Sequence, residues 1–250
     1  MRAVIFWYYK KRDVQELNEI ERFHIDCIKK YELNSIFRRV DVTIAYDDEN
    51  QGSRNVAHNT IDKLFTIEHT ITDIENSKIL GEFSCYYNQV FKKLDDEIVF
   101  YFHFKGVKSD SPEFISSRRR WIEVLYSGCF SDDTIKRIEF YPICGAHKEN
   151  KDISWFTRYF WRLSKDFYYK KYPMLSKLQG TAYLDGTYQW INPKLLRQYF
   201  NDKGVDFSEI QEIDFKNIRF THFSEYFLCS LLDARVIYSY YDMWRINLGY

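Results

Sequence analysis

The sequence predicts an α/β protein in which a central, mostly parallel sheet is flanked by helices. Short runs of β-branched and aromatic residues alternate with longer segments whose apolar residues recur at three- and four-residue steps. No internal repeat and no linker interrupts the 250 residues, so we predict one domain. The chain opens in the order strand, helix, strand, which predicts a parallel pair joined by a right-handed crossover.

The opening unit consists of two predicted strands and one predicted helix. Residues 3–9 are a short apolar run bounded by charge, and in 40–46 apolar residues recur at every second position. Between them, residues 13–32 show the helical spacing of apolar side chains, and Asp13 can cap that helix. The polar stretch 47–59 shows no periodicity, so we expect a loop there.

The rest of the chain continues the alternation of strands and helices. The strongest strand signal is the run from Glu97 to Phe102. Pro112 suits the first turn of a helix, and Ser154 and Pro173 suit the start and the end of another. Further strands are expected over 181–184 and 235–241, and helices over 79–94, 112–128, 154–172, 192–200 and 224–232.

The charge balance, the cysteines and the missing motifs disfavour several classes of protein. Lys and Arg number 36 and so do Asp and Glu, which argues against a nucleic-acid-binding surface that is basic throughout. The five cysteines include no C-x-x-C pair, so zinc and thioredoxin-type sites have little support, and unpaired thiols indicate the cytoplasm. No stretch reaches the ~20 apolar residues that span a bilayer, and the N-terminal run lacks a signal-peptide cleavage site. P-loop, dinucleotide-binding and α/β-hydrolase motifs are missing.

Residues that follow the strands are the first candidates for a site, because ligands of open α/β sheets bind beyond the carboxyl ends of the strands. The segment His103-Phe104-Lys105-Gly106 follows the strongest predicted strand. A histidine, a cation and a flexible glycine at that position can hold an anion such as a diphosphate. The alternative is an ordinary polar turn after a core strand.

A second candidate segment follows the strand expected over 181–184. Asp185 and Gly186 precede Tyr188 and Trp190, and a carboxylate beside aromatic rings suits the recognition of a sugar. The alternative is an Asp-Gly turn whose aromatic residues belong to the core.

Other charged residues leave two interpretations open. Glu225, in the first turn of a predicted helix, either interacts with the helix dipole or is a catalytic carboxylate. The basic run 118–120 is either a solvated helix face or an anion-binding one. The acidic clusters 47–49 and 95–97 have the chemistry of divalent-metal ligands, but the second lies at the start of its strand, the wrong end for the site.

Taken in order, these segments resemble GT-A-type glycosyltransferase-like proteins of bacterial and viral surface-glycan biosynthesis. Members of that family carry a strand ending in an H-T-K-G-like motif, a helix with a tryptophan, a G-N-F-W-W-like segment, and a helix opening with S-E. The corresponding segments here are His103 to Gly106, Trp121, Asp185 to Pro193, and Ser224-Glu225. The resemblance covers nearly the whole chain and implies a single GT-A-like domain over 1–250, with a nucleotide-binding half at about 1–110 and an acceptor half at about 111–250.

The resemblance implies a cytoplasmic enzyme, in solution or peripheral to a membrane, that transfers a sugar from a nucleotide-sugar to a glycan or glycolipid acceptor. A UDP-sugar is the favoured donor. General base catalysis would fall to Asp185 or Glu225 if the enzyme inverts. The resemblance assigns donor binding to Tyr8, Tyr9, Asp47, His103, Lys105 and Gly106, and acceptor binding to Trp121, Tyr188 and Trp190.

One departure from the family concerns the metal. GT-A enzymes commonly end the central strand with D-x-D, whose carboxylates hold Mn²⁺ or Mg²⁺ on the diphosphate, whereas this sequence has His103-Phe104-Lys105 there. A cation at that place can offset the diphosphate charge without a metal, although Asp47 or Asp185 could still supply ligands. Two rivals remain open: a non-catalytic carbohydrate-binding or assembly protein that has kept the fold, and a domain whose aromatic residues only fill the core.

Overall fold

The computed structural model describes residues 1–9, 16–47, 51–75, 81–104, 112–149, 170–178, 183–184, 187–214 and 227–242. Over these residues the chain is an α/β protein in which helices flank both faces of one eight-stranded sheet. The strands are β1 Arg2–Tyr9, β2 Arg39–Tyr46, β3 Glu68–Glu75, β4 Val99–His103, β5 Ile143–Glu149, β6 Tyr183–Leu184, β7 Gln189–Ile191 and β8 Ile237–Asp242. The α-helices are α1 Glu19–Lys30, α2 Leu33–Ile36, α3 Gln51–Leu64, α4 Gly81–Cys85, α5 Pro112–Cys129, α6 Asp132–Arg137, α7 Pro193–Asp202 and α8 Phe207–Gln211.

The sheet has the order β3-β2-β1-β4-β7-β5-β6, and β8 pairs with β5. Strands β3, β2, β1 and β4 are mutually parallel, whereas β7 runs antiparallel to both β4 and β5. The chain proceeds from β1 through β2 to β3 in one direction and then returns to place β4 on the other side of β1. The strand order therefore reverses between β1 and β4.

Alternation along the strands divides the apolar side chains between two cores. On one face, Ile5 and Trp7 of β1 and Phe100 and Phe102 of β4 pack beneath α1, α3 and α5. On the other face, Val4 of β1 and neighbouring strand residues pack against α4, a π-helical segment that follows it, α7 and α8. We call these the α5 face and the α4 face. Each polar side chain at a strand end belongs to one of them, because neighbouring residues point to opposite faces.

Several elements confirm the sequence predictions. Strands β1, β2 and β8 lie within one or two residues of the predicted ranges. Helix α5 matches the predicted 112–128, and α7 begins after the Asn192 cap as expected. The predicted helix 79–94 is α4 followed by the π-helical segment Tyr86–Phe91. The helix predicted over 154–172 lies outside the described residues except for its last residues, and so does the start of the helix predicted at Ser224.

The first predicted helix begins later than expected. Helix α1 starts at Glu19, because Asn18 and Glu21 form a capping box in which each side chain accepts from the backbone N–H of the other residue at 2.8 Å. The cap is therefore Asn18, and the prediction of Asp13 was wrong. Asp13 itself lies outside the described residues.

The loop predicted over 47–59 was also wrong, because α3 occupies 51–64. Its buried residues Ala57, Ile61 and Leu64 have helical spacing, but only the first lies inside the stretch that looked aperiodic. Strand β3 was not predicted from the sequence, because it is an edge strand whose polar side chains are largely exposed. Strands β5 and β7 and helices α2, α6 and α8 were likewise not predicted from the sequence. Within the described residues, no helix combines the length and the apolar character needed to cross a membrane.

Candidate functional site

The candidate site lies where the strand order reverses, at the carboxyl ends of β1 and β4. In open α/β sheets, the crevice beyond such a reversal is where ligands bind. The polar residues at these two strand ends are Tyr8 on β1 and His103 on β4. Both were predicted from the sequence as donor-binding residues, and the parallel pairing of β1 with β4 places their strand ends side by side.

Tyr8 and Asp47 form a contact across the ends of β1 and β2. Tyr8 stands opposite Ala45 in the parallel register, and Asp47 follows the last residue of β2. The Tyr8 hydroxyl donates a hydrogen bond to the Asp47 carboxylate. The structure therefore brings together two of the predicted donor-binding residues, with Tyr8 half-buried and Asp47 exposed.

Tyr9 lies on the other face of the sheet. Its ring is only 2% exposed and packs against Trp7 at 5.4 Å and Tyr46 at 6.0 Å between ring centroids. A ring buried in this way has no face left for a nucleotide base. The structure does not place Tyr9 where a base could stack on it, because alternation along β1 sends adjacent tyrosines to opposite faces.

His103 closes the carboxyl end of β4 on the α4 face, opposite Phe6 in the register. Its side chain is 9% exposed, and its Nδ1 lies 3.0 Å from Oε1 of Glu82 in α4. This distance is that of an ion pair, although Nδ1 and Oε1 do not have the geometry of a hydrogen bond. The Thr187 hydroxyl donates to the same Glu82 oxygen at 3.0 Å. We call Glu82, His103 and Thr187 the His103 cluster.

Thr187 has a backbone conformation that is rare for its residue type. Its φ angle is +59°, and the residue is fully buried. A β-branched residue in the left-handed region is strained, and such strain persists only where surrounding contacts hold it. The hydrogen bond to Glu82 is one of those contacts.

The backbone of His103 is held from the α5 face. The Tyr188 hydroxyl donates to the His103 carbonyl at 3.0 Å. Burial raises the pKa of Tyr188 well above its ordinary value, so this phenol remains a donor. The neighbouring Phe104 ring stacks on His24 with a centroid distance of 4.7 Å. The end of β4 is therefore fixed from one face and presents His103 to the other.

Tyr188 and Trp190 do not form the acceptor platform that the sequence suggested. Both are fully buried, and Trp190 lies within β7 instead of beyond a strand end. The indole Nε1 of Trp190 donates to the Cys129 carbonyl at 2.8 Å, and its ring packs 4.7 Å from that of Phe100. Neither ring offers a face to an acceptor in this structure, because β7 inserts between β4 and β5 and both rings lie in the core.

Trp121 lies on α5, half-buried against the core of the α5 face. It is therefore on the opposite side of the sheet from Glu82. Lys105, Gly106, Asp185 and Glu225 lie outside the described residues. The described residues that directly precede Lys105 and Asp185 are Phe104 and Leu184.

The donor groups that the structure describes at this edge do not match a metal site. Among the described residues, no three side chains of His, Cys, Asp or Glu lie together in a way that could hold a metal ion. Asp47, a candidate ligand for Mn²⁺ or Mg²⁺, accepts a hydrogen bond from Tyr8 instead. We derive no step that passes through a metal.

Sequence reasoning missed Glu82 and passed over Thr187. Glu82 lies in the predicted helix 79–94, where a charged residue in the first turn gives no sign of a distant histidine. Thr187 lies within the Asp185 segment, and its hydroxyl meets Glu82 across 105 positions of sequence. A pattern that repeats every two or four residues contains no information about such a contact.

The sequence matches no protein-family model and no curated protein. Eleven chains among the solved structures match it. One is 4-diphosphocytidyl-2C-methyl-D-erythritolsynthase from Anaerococcus prevotii DSM 20548, at 9% identity and a TM-score of 0.38, with 95% of this chain and 88% of that chain covered. A similarity this low supports no argument about the activity of this chain.

Proposed function

We propose that this protein is a glycosyltransferase that moves a sugar from a nucleotide-sugar, with a UDP-sugar favoured, to a glycan or glycolipid acceptor in surface polysaccharide or glycan synthesis. The observation that carries the proposal is the pair Tyr8 and His103 at the strand-order reversal between β1 and β4. An aromatic ring and an imidazole at this crevice suit a base and a diphosphate. The order of the motifs along the chain, which resembles the GT-A family, gives further support.

In the proposed complex, Tyr8 stacks on the base and Asp47 accepts from the ribose. His103 and Lys105 offset the charge of the diphosphate as the sugar leaves, and Gly106 allows close approach of the backbone. Asp185 or Glu225 takes the proton of the acceptor hydroxyl. The stereochemical outcome follows from which face of the sugar that carboxylate reaches.

The rival role, a carbohydrate-binding module without catalysis, depends on exposed aromatic platforms. The burial of Tyr188 and Trp190 removes the two rings that favoured it.

The test is calorimetry with UDP, GDP and CMP, with and without Mn²⁺, on the wild type and on Lys105→Ala. We expect one nucleotide to bind the wild type and Lys105→Ala to bind it about tenfold more weakly, because one charge-assisted contact is lost. The unfolding midpoint of the variant in urea should match that of the wild type. Absence of binding by every nucleotide would refute the proposal, and wild-type affinity in Lys105→Ala would remove Lys105 from it.

A further inference from the structure

We infer that Glu82 and Thr187 are positioning residues for His103: Thr187 holds the Glu82 carboxylate, and that carboxylate fixes a proton on Nδ1 of His103 so that Nε2 serves the diphosphate. The inference rests on the proposed function, since it assigns to His103 a phosphate oxygen as its partner. It gives roles to two residues to which neither the sequence motifs nor the family resemblance assigned one.

One carboxylate oxygen of Glu82 contacts both Thr187 and His103. Oε1 of Glu82 accepts from the Thr187 hydroxyl at 3.0 Å and lies 3.0 Å from Nδ1 of His103. A hydroxyl donor at 3.0 Å fixes the position of that oxygen, and the fixed oxygen faces only one nitrogen of the ring. Because the partner of one imidazole nitrogen sets the role of the other, Nδ1 carries the proton toward Glu82 and Nε2 is left for a ligand.

The second argument is the burial of the cluster. The His103 side chain is 9% exposed, and Nδ1 is a buried polar atom that makes no hydrogen bond of good geometry. Buried polar atoms in native proteins are nearly always paired, so an imperfect pair needs an explanation. Catalytic hydrogen bonds are often misaligned without substrate and tighten when it binds, which fits a histidine that turns toward a ligand on Nε2.

The third argument is the strain at Thr187. A serine, asparagine or glycine would meet the +59° φ angle with less strain than this β-branched residue. The residue that adopts this strained conformation is the one whose hydroxyl donates to Glu82. Strain of this kind concentrates at functional sites.

In the proposed reaction, Glu82 and Thr187 act only through His103. As the bond between the anomeric carbon and the β-phosphate oxygen breaks, the acceptor oxygen forms its bond to that carbon, and the acceptor proton passes to the carboxylate base of the proposed function. The electron pair of the broken bond moves to the β-phosphate oxygen. In the liganded site the His103 ring carries a proton on each nitrogen, lies between the Glu82 carboxylate and the diphosphate, and donates to each. His103 itself transfers no proton.

The decisive experiment compares UDP affinity in Glu82→Gln with that of the wild type. If the main effect of Glu82 on the ligand were direct repulsion between the two anions, this substitution would strengthen binding. The positioning role predicts a loss of about tenfold instead, because the charge-assisted contact that orders the His103 ring is lost. Equal or tighter binding by Glu82→Gln overturns the inference.

Thr187 provides the matched controls. Thr187→Val keeps the shape and the strain but loses the hydroxyl, and we expect UDP affinity to fall about threefold to tenfold. Thr187→Ser keeps the hydroxyl and should restore affinity to near the wild-type value. The inference fails if the two variants behave alike.

A readout without nucleotide separates this inference from the proposed function. At about pH 8, where a free imidazole is neutral, ¹⁵N NMR should find the His103 proton on Nδ1 in the wild type and on Nε2 in Glu82→Leu. If the wild type binds no nucleotide, the proposed function fails, while this measurement still decides whether Glu82 sets the tautomer. A wild-type proton on Nε2 would overturn the inference even if UDP binds.

Discussion

The two ends of the parallel strands carry charged side chains in different ways. At the amino end, the Arg2 guanidinium donates to the Asp41 carboxylate at 3.1 Å and to the carbonyls of Gln89 and Lys93 at 3.3 and 3.2 Å. Arg39 and Thr70 also donate to Asp41. At the carboxyl end, by contrast, one Glu82 oxygen accepts from the Thr187 hydroxyl and also lies near His103 Nδ1. There the Tyr8 hydroxyl donates to the exposed Asp47 carboxylate.

The comparison sets polar groups that join the strands at the amino end against polar groups of the proposed site at the carboxyl end. The Arg2 side chain is 2% exposed, and its hydrogen bonds connect β1 to β2 and to the segment that ends before β4. Such a buried network contributes to folding only while every partner is present. Each end has a buried nitrogen without a hydrogen-bond partner, Arg2 Nε at the amino end and His103 Nδ1 at the carboxyl end, and the carboxyl end adds the strained Thr187. The carboxyl end tolerates that strain because the rest of the sheet holds its strands in place.

The largest expected effect tests the amino end. Replacing Arg2 with methionine leaves Asp41 and two carbonyls without their buried partner and should lower the free energy of unfolding by about 3–5 kcal/mol in urea titrations. Arg39→Met is the matched control, because Arg39 donates to the same Asp41 oxygen but is 36% exposed, and it should cost less than about 1 kcal/mol. Equal losses in the two variants would contradict the distinction that we draw between these arginines. Nucleotide affinity of the folded Arg2→Met protein should be unchanged.

At the carboxyl end, we expect Tyr8→Ala to lower stability less than Arg2→Met does and to weaken nucleotide binding more. Tyr8→Ala should cost about 1 kcal/mol of unfolding free energy, because the ring is half-buried, and should weaken UDP binding about tenfold by removing a stacking surface. Its neighbour provides the contrast, since Tyr9→Ala empties a buried site and should cost about 3–5 kcal/mol. Calorimetry and urea titration of both variants would reveal whether the two faces differ as proposed. A Tyr8→Ala protein with wild-type affinity would exclude the ring from the nucleotide site.

The smallest effect is a pH dependence at the amino end of β3. The Ile67 carbonyl, at 3.0 Å from Nδ1, and the Asp62 carboxylate, at 3.0 Å from Nε2, raise the pKa of His69 above 6.5. Because the folded-state pKa is raised, the stability it contributes is complete below pH 6.5 and is lost as pH rises through the folded-state value.

The expected contribution of His69 is a few tenths of a kcal/mol, because the pair is near the surface. Urea midpoints measured at about pH 5.5 and about pH 8.5 should show the wild type losing more stability than His69→Gln. A His69→Gln protein with the same pH slope as the wild type would show that other groups set it.

The sequence alone was enough for the fold class and for part of the site. Buried runs such as 3–9 and the helical spacing of 112–128 are local signals, and the structure confirmed both. The rule that ligands bind beyond strand ends pointed to His103 before any contact was known. The same rule pointed to Tyr9, and it failed there because it does not say which face of the sheet a residue joins.

What the sequence determined by itself is the alternation of strands and helices, since that follows from side-chain periods of two and 3.6 residues. Only the tertiary structure determines that Trp190 lies in the core and that Glu82 contacts both His103 and Thr187. Trp190 became core because β7 is inserted antiparallel between β4 and β5, a pairing of strands far apart in sequence. The His103 cluster formed because α4 packs against the end of β4, and no local pattern encodes contact between residues that only the packing of the α4 face brings together.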